Sequence, residues 1–130
     1  FRKVFYAILL FRKSLIASVN AGEKFGIFIN EINGRNSRQL TNLGYESIAG
    51  WSTDGSTLYY AIPDSGGDGF LLRALDAGTG NSQDLFVLEY ASRKAPLPTV
   101  SPDGKWIAYR ASDNSSLYIK GMDGSPARLV

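Results

Sequence analysis

The chain repeats itself. Ser52-Thr53-Asp54-Gly55-Ser56-Thr57-Leu58-Tyr59-Tyr60 returns as Ser101-Pro102-Asp103-Gly104-Lys105-Trp106-Ile107-Ala108-Tyr109, 49 positions later. Each copy is a turn feeding an apolar, aromatic run, and Asp-Gly in that place is a strong hairpin signal. Pro102 pre-sets φ for the second turn position, Asp103 can bond its own backbone, and Gly104 can take the left-handed conformation that closes the hairpin. A unit recurring at this interval points to a repeat architecture, which must be settled before any chemistry.

A second element recurs in step with the first. Phe25-Gly26-Ile27-Phe28-Ile29-Asn30-Glu31-Ile32-Asn33-Gly34 is a strand running into a turn. Gly69–Gly78 and Ser116–Gly124 have the same shape, and the closing glycines Gly34, Gly78 and Gly124 lie 44 and then 46 positions apart. After each turn a polar segment returns to an apolar residue: Ser37–Leu40, Ser82–Leu85 and Ala127–Val130. Ser14–Ser18 aligns with the strands after the Asp-Gly turns, but Leu10-Phe11-Arg12-Lys13 before it holds no turn former, so the first unit has a degenerate start.

Each unit therefore holds four strands. An incoming strand (Ser47–Trp51, Leu97–Val100) precedes a middle strand (Leu58–Ile62, Trp106–Ala111), a third strand before the second turn, and a fourth leading out. Four short antiparallel strands in roughly 40–50 residues are the dimensions of a propeller blade. The middle strands lack clean alternation, as expected where blades pack on both faces. A sandwich or small barrel would alternate more cleanly and show no such period. The fold class is all-β, a partial β-propeller of about three four-stranded blades. The chain reads as one segment, 1–130, with blades at about 4–43, 44–90 and 91–130.

Composition removes several function classes. The 130 residues include no cysteine and no histidine. Disulfides, thiolate metal sites, Ser-His-Asp triads, Cys-His dyads and the usual zinc sets cannot be built from this chain alone. A net charge of +2 makes no case for nucleic acid. Val4–Phe11 is far too short to span a bilayer, which needs about 20 apolar residues. Arg12 and Lys13 interrupt the apolar region and argue against a signal peptide ending near Val19-Asn20-Ala21. Cations and apolar residues do not segregate as an amphipathic helix requires. Two strands, Val4–Leu10 and Ser14–Val19, are expected instead.

Ser101–Tyr109 followed by Leu117-Tyr118-Ile119-Lys120-Gly121-Met122-Asp123-Gly124 resembles the repeat of TolB-type β-propellers, itself similar to the propellers of prolyl oligopeptidase-type peptidases. The third unit matches closely, the second with Thr53 in place of the proline, the first only in its later half. The resemblance covers roughly residues 14–130 and implies a six-bladed ring, often extracytoplasmic and here periplasmic, used as a protein-binding platform. About three blades are present. The remainder is expected from a second copy, giving a homodimer, or from a longer chain. Alternatively, the divergent first strands cap one open face.

Several residues invite a functional reading, each with a plainer rival. Asp54 and Asp103 read as turn scaffold rather than ligands. Pro63-Asp64-Ser65-Gly66-Gly67-Asp68-Gly69 could wrap a calcium ion, but it lacks alternating acids and a bidentate glutamate, so a mobile loop tip is favoured. Arg2, Lys3, Arg12 and Lys13 read as edge-strand charges before a site for an acidic partner or membrane surface. Trp51, Trp106, Tyr59, Tyr60 and Tyr109 read as inter-blade core rather than a stacking platform. Tyr45 and Tyr90 lie outside the middle strands and are candidates for exposed aromatic contacts. Glu89–Pro98 reads as a connector whose prolines fix entry into the third blade.

Two function classes follow. One is a binding module for a protein or peptide, without cofactor, metal or catalytic residues. The other is the accessory propeller of a prolyl oligopeptidase-type peptidase, whose nucleophile elbow and histidine are not in this chain.

Overall fold

A computed structural model describes residues 5–9, 15–19, 26–31, 35–67 and 69–130. They form twelve strands and no helix, arranged as three four-stranded antiparallel sheets in sequential order. The first holds β1 (Phe5–Leu9), β2 (Leu15–Val19), β3 (Ile27–Glu31) and β4 (Arg38–Gln39). The second holds β5 (Ser47–Trp51), β6 (Thr57–Pro63), β7 (Gly69–Asp76) and β8 (Ser82–Glu89). The third holds β9 (Thr99–Val100), β10 (Trp106–Arg110), β11 (Leu117–Gly121) and β12 (Arg128–Leu129). The leading strands β1, β5 and β9 lie side by side, so each sheet fans outward from a common inner edge. Of the cationic pairs, Arg2, Lys3, Arg12 and Lys13 all lie outside the described residues, as does the first turn.

The sheets stack face to face through the middle strands. Leu58 and Tyr60 of β6, fully buried, join Ile27 and Ile29 of the first sheet in one apolar cluster with Leu75 and Ala77. Their neighbour Ala61 points the other way. It joins Phe70, Leu72 and Leu88 in a second cluster that receives Ile107 and Tyr109 of the third sheet. Successive residues on a strand face opposite sides, so β6 is apolar on both faces because it has a sheet on each. Tyr60 and Tyr109, 49 positions apart in the repeat, are both buried with their hydroxyls satisfied. Tyr60 Oη lies 2.8 Å from Ser82 Oγ, and Tyr109 donates to the Glu89 carbonyl at 3.0 Å. Desolvation, with the Glu89 carboxylate nearby, pushes the Tyr109 hydroxyl well above its ordinary value.

Two expectations need correction. Trp106 is not buried between the described sheets. It sits on the far face of the third sheet, 39% exposed, with the Arg128 guanidinium 5.7 Å from its ring centroid. Its register partner is Gly121, while Ile107 beside it takes the inward face; among the described residues no fourth sheet covers it. Trp51 and Tyr59 are only half-buried, against the first and second clusters respectively. The incoming strand expected at Leu97–Val100 begins only at Thr99. Pro98 has no N–H to give a ladder, and Leu97 has φ 46°, outside the extended region.

The twin turns share one hydrogen-bond network. Ser52 Oγ donates to Asp54 Oδ1 (2.7 Å) and accepts from the Thr57 amide (3.0 Å), while the Ser56 amide donates to the same Asp54 oxygen (3.0 Å). Ser101, Asp103, Lys105 and Trp106 repeat it at 2.5, 3.0 and 3.0 Å. Gly55 and Gly104 both have φ 74°. A left-handed backbone strains any residue with a Cβ and a β-branched one most. A Cβ at 104 would meet the Thr53 methyl at an ordinary 3.6 Å, so for that atom conformation rather than space favours glycine. Gly104→Val should cost roughly 1–3 kcal/mol, whereas Ser65→Val, in an exposed loop, should leave the melting temperature nearly unchanged. Thermal denaturation of the two variants side by side checks this.

These turns also set an acid limit. Backbone and serine donors hold the Asp54 carboxyl at about 2, below its ordinary 3.8. The Ser116 hydroxyl, with the Ser115 and Ser116 amides, does the same for Asp113 at about 2. Asp76, Asp103 and Asp123 are lowered by similar bonds, from the Thr79 amide, the Ser101 hydroxyl and the Ser125 hydroxyl first. A carboxyl lowered on folding contributes stability above its unfolded value and loses it as pH falls through its folded value. The melting temperature should therefore drop between pH 3.8 and about 2. An Asp54→Asn, Asp103→Asn double variant should show a shallower drop, measured by calorimetry across that window.

Candidate functional site

A concave feature of mixed chemistry lies where chains cross between sheets. The 41–46 crossover enters β5, and the 90–98 connector enters β9. Between them is a groove of about 340 Å³. Tyr45 and Leu97 line it with Arg93 and Lys94, and Ile48, Phe70 and Pro96 add apolar wall.

Each wall is fixed from within. On one side the Glu46 side chain turns back into its own loop and is buried. Its carboxylate accepts from the Gly44 amide (2.6 Å), the Leu43 amide (3.3 Å) and the Thr41 hydroxyl. Thr41 in turn accepts the Ile27 amide at 2.8 Å, tying the loop to β3. Buried polar groups hold position when so satisfied, so Tyr45, 55% exposed, stands on a fixed base.

The connector is anchored to the third sheet. Ala91 bridges Ala111, and the Ser92 amide donates to the Arg110 carbonyl at 2.8 Å. Ser92 Oγ donates to Asn114 Oδ1 at 2.6 Å, and the Arg110 amide donates to the Pro96 carbonyl at 2.7 Å. Pro96 and Pro98 are buried, while Leu97 between them is 59% exposed with φ 46°. A residue before proline is pushed toward extended conformations, so this leucine departs from two preferences at once. Such strain concentrates at functional positions.

Tyr45 and Tyr90 are both exposed, as the sequence suggests, but the structure does not bring them together. Tyr90, φ 61°, leans on Tyr118 with ring centroids 5.7 Å apart, and Tyr118 stacks on buried Tyr109 at 5.9 Å. Only Tyr45 lines the groove. Sequence reading treats 89–98 as a connector alone and misses Arg93, Lys94 and Leu97. The available signal was a bulky apolar residue between two prolines, beyond the reach of the strand pattern. In the 63–69 loop, the Asp64 amide bonds the Gly69 carbonyl (3.1 Å), and Asp68 lies outside the described residues. Among the described residues no three acidic side chains gather to hold a metal. Asp54 and Asp103 spend their carboxylates on their own turns.

One cross-link near the connector was also unread. Lys120, in a strand where a lysine reads as solvent-facing, has a side chain only 3% exposed. Its ammonium lies 2.7 Å from Glu89 Oε1 and 5.2 Å from the Phe86 ring centroid, joining the third sheet to β8.

No family model matches the sequence, and no curated protein matches it. Solved structures do. An oligogalacturonate lyase in complex with manganese matches over 95% of this chain and 35% of its own, at 18% identity and a TM-score of 0.70. A putative TolB from Agrobacterium tumefaciens matches over 89% of this chain and 42% of its own, at 24% identity and 0.68. TolB from Acinetobacter baumannii matches over 97% and 29%, at 16% identity and 0.60. The chain thus spans well under half the length of each. At these identities the likeness is one of fold: the three sheets are β-propeller blades, as in these structures.

The strain at Leu97 makes a separable prediction. Leu97→Gly relieves a left-handed conformation worth roughly 1–2 kcal/mol, against roughly 0.5–1 kcal/mol of added glycine entropy. Its melting temperature should stay level or rise. Leu88→Ala, in the buried cluster, should cost roughly 2–5 kcal/mol. Equilibrium denaturation of both checks the contrast.

Proposed function

We propose that this chain is a non-catalytic propeller scaffold that binds a protein or peptide segment in the groove between its 41–46 and 90–98 crossovers. The observation that carries this is Leu97, held in a strained backbone between two buried prolines yet left exposed beside Tyr45. Rigid walls with exposed apolar and aromatic side chains suit recognition, because little freedom is lost on binding. The resemblance to TolB repeats supports a protein partner and an extracytoplasmic, periplasmic setting. No helix among the described residues is long and apolar enough to cross a membrane. The absence of histidine and cysteine supports a non-catalytic role.

Further blades complete the ring. The far face of the third sheet carries exposed Trp106 and Leu117. Its positions Trp106, Ala108 and Arg110 correspond in the repeat to Thr57, Tyr59 and Ala61; Tyr59 and Ala61 pack toward the third sheet. Another blade is the natural cover, supplied by a second copy or by a longer polypeptide. Light scattering on a size-exclusion column should show this chain alone as a dimer; a dilution-resistant monomer that binds no hydrophobic dye would rule the dimer out.

Selection of a phage-displayed random dodecapeptide library on the immobilised chain tests the binding role. Enriched peptides should lose roughly tenfold or more in affinity with Tyr45→Ala. No enrichment, or turnover of a peptide, ester or oligogalacturonate substrate that one substitution in this chain abolishes, would overturn the reading.

A further inference from the structure

Resting on that peptide-binding reading, we infer that the groove's partner is an acidic extended segment, with carboxylates at Arg93 and Lys94 and an adjoining apolar or aromatic side chain between Tyr45 and Leu97. Arg93 and Lys94 are consecutive, exposed and at the same rim. The ion pairs among the described residues, Arg73 with Asp84 and Lys120 with Glu89, leave both cations unpaired. The acid in the described lining, Glu46, is buried and spends its carboxylate on the Gly44 and Leu43 amides and the Thr41 hydroxyl. It therefore opposes an incoming carboxylate less than its formal charge suggests. The groove thus offers positive charge at one rim and apolar surface along its walls.

That combination favours a peptide over an acidic sugar. An oligogalacturonate carries a carboxylate on every ring and wants cations spread along its path. Here the two cations are adjacent, and the rest of the wall is mostly apolar, Ile48, Phe70, Pro96 and Leu97 among it. A mixed acidic and apolar peptide matches both halves. Two exposed charges act mainly on encounter and on salt dependence, so the apolar contact must supply the rest of the affinity.

The test uses the whole chain, the library-selected peptides and a defined oligogalacturonate as the rival probe. Because the Arg93 and Lys94 side chains make no ion pair with any described residue, Arg93→Glu with Lys94→Glu should leave the melting temperature unchanged; the Arg93→Gln, Lys94→Gln variant gives a milder control. The inference expects enriched peptides to carry Asp or Glu beside Leu, Trp or Phe. Their affinity should fall about tenfold or more on charge reversal, less with glutamine, and several-fold between about 0.05 and 0.5 M salt. Enriched peptides without acids, insensitive to charge reversal but lost with Tyr45→Ala, would overturn the acidic partner and keep the peptide reading. Oligogalacturonate binding that charge reversal abolishes, with no peptide enriched, would overturn both. So would a library yielding nothing.

Discussion

The structure depends on β6 being apolar on both faces. Leu58 and Tyr60 face one sheet and Ala61 the other, and none has measurable exposure. Full burial of such a large apolar side chain is worth roughly 1.5–3 kcal/mol, but only while both neighbouring sheets are present. A single blade cannot bury its own middle strand. Stability is therefore shared between neighbours, as in other repeat architectures, and the second sheet is packed on both of its faces. The buried hydroxyls of Tyr60 and Tyr109 are compatible with this packing because each finds a polar partner.

The repeat was legible because turn chemistry is local. Ser52 and Ser101, Asp54 and Asp103, Gly55 and Gly104 need only their own neighbours to close a turn, so their spacing survives in sequence whatever surrounds them. Pro102 presets the turn's φ, and the serine before it adds two bonds, its hydroxyl donating to the aspartate and accepting from the Trp106 amide. Thr53 in place of proline leaves the second turn's network intact.

What the sequence hid is non-local. Trp106 and Tyr109 look alike as aromatics of one strand; they part because three positions of separation put them on opposite faces and only one face has a neighbour. Lys120 offered no sign that it would be buried, because its partner Glu89 lies 31 positions away in another sheet. The groove was hidden for the same reason. Tyr45 was legible as an exposed aromatic, but Arg93 and Leu97 join it only because β5 and β9 lie side by side.

The brevity of β9 has a consequence for how such a protein can change. Only Thr99 and Val100 pair with β10, and the preceding residues are held by a few backbone bonds and two prolines rather than by a ladder. Arg93, Lys94 and Leu97 contribute no side chain to either apolar cluster. Substitutions at these three positions are thus insulated from the packing that keeps the sheets together. If the groove binds as proposed, selection can vary charge and apolar contact at these three positions, while Ile48 and Phe70, which pack with the clusters, keep the wall behind them fixed.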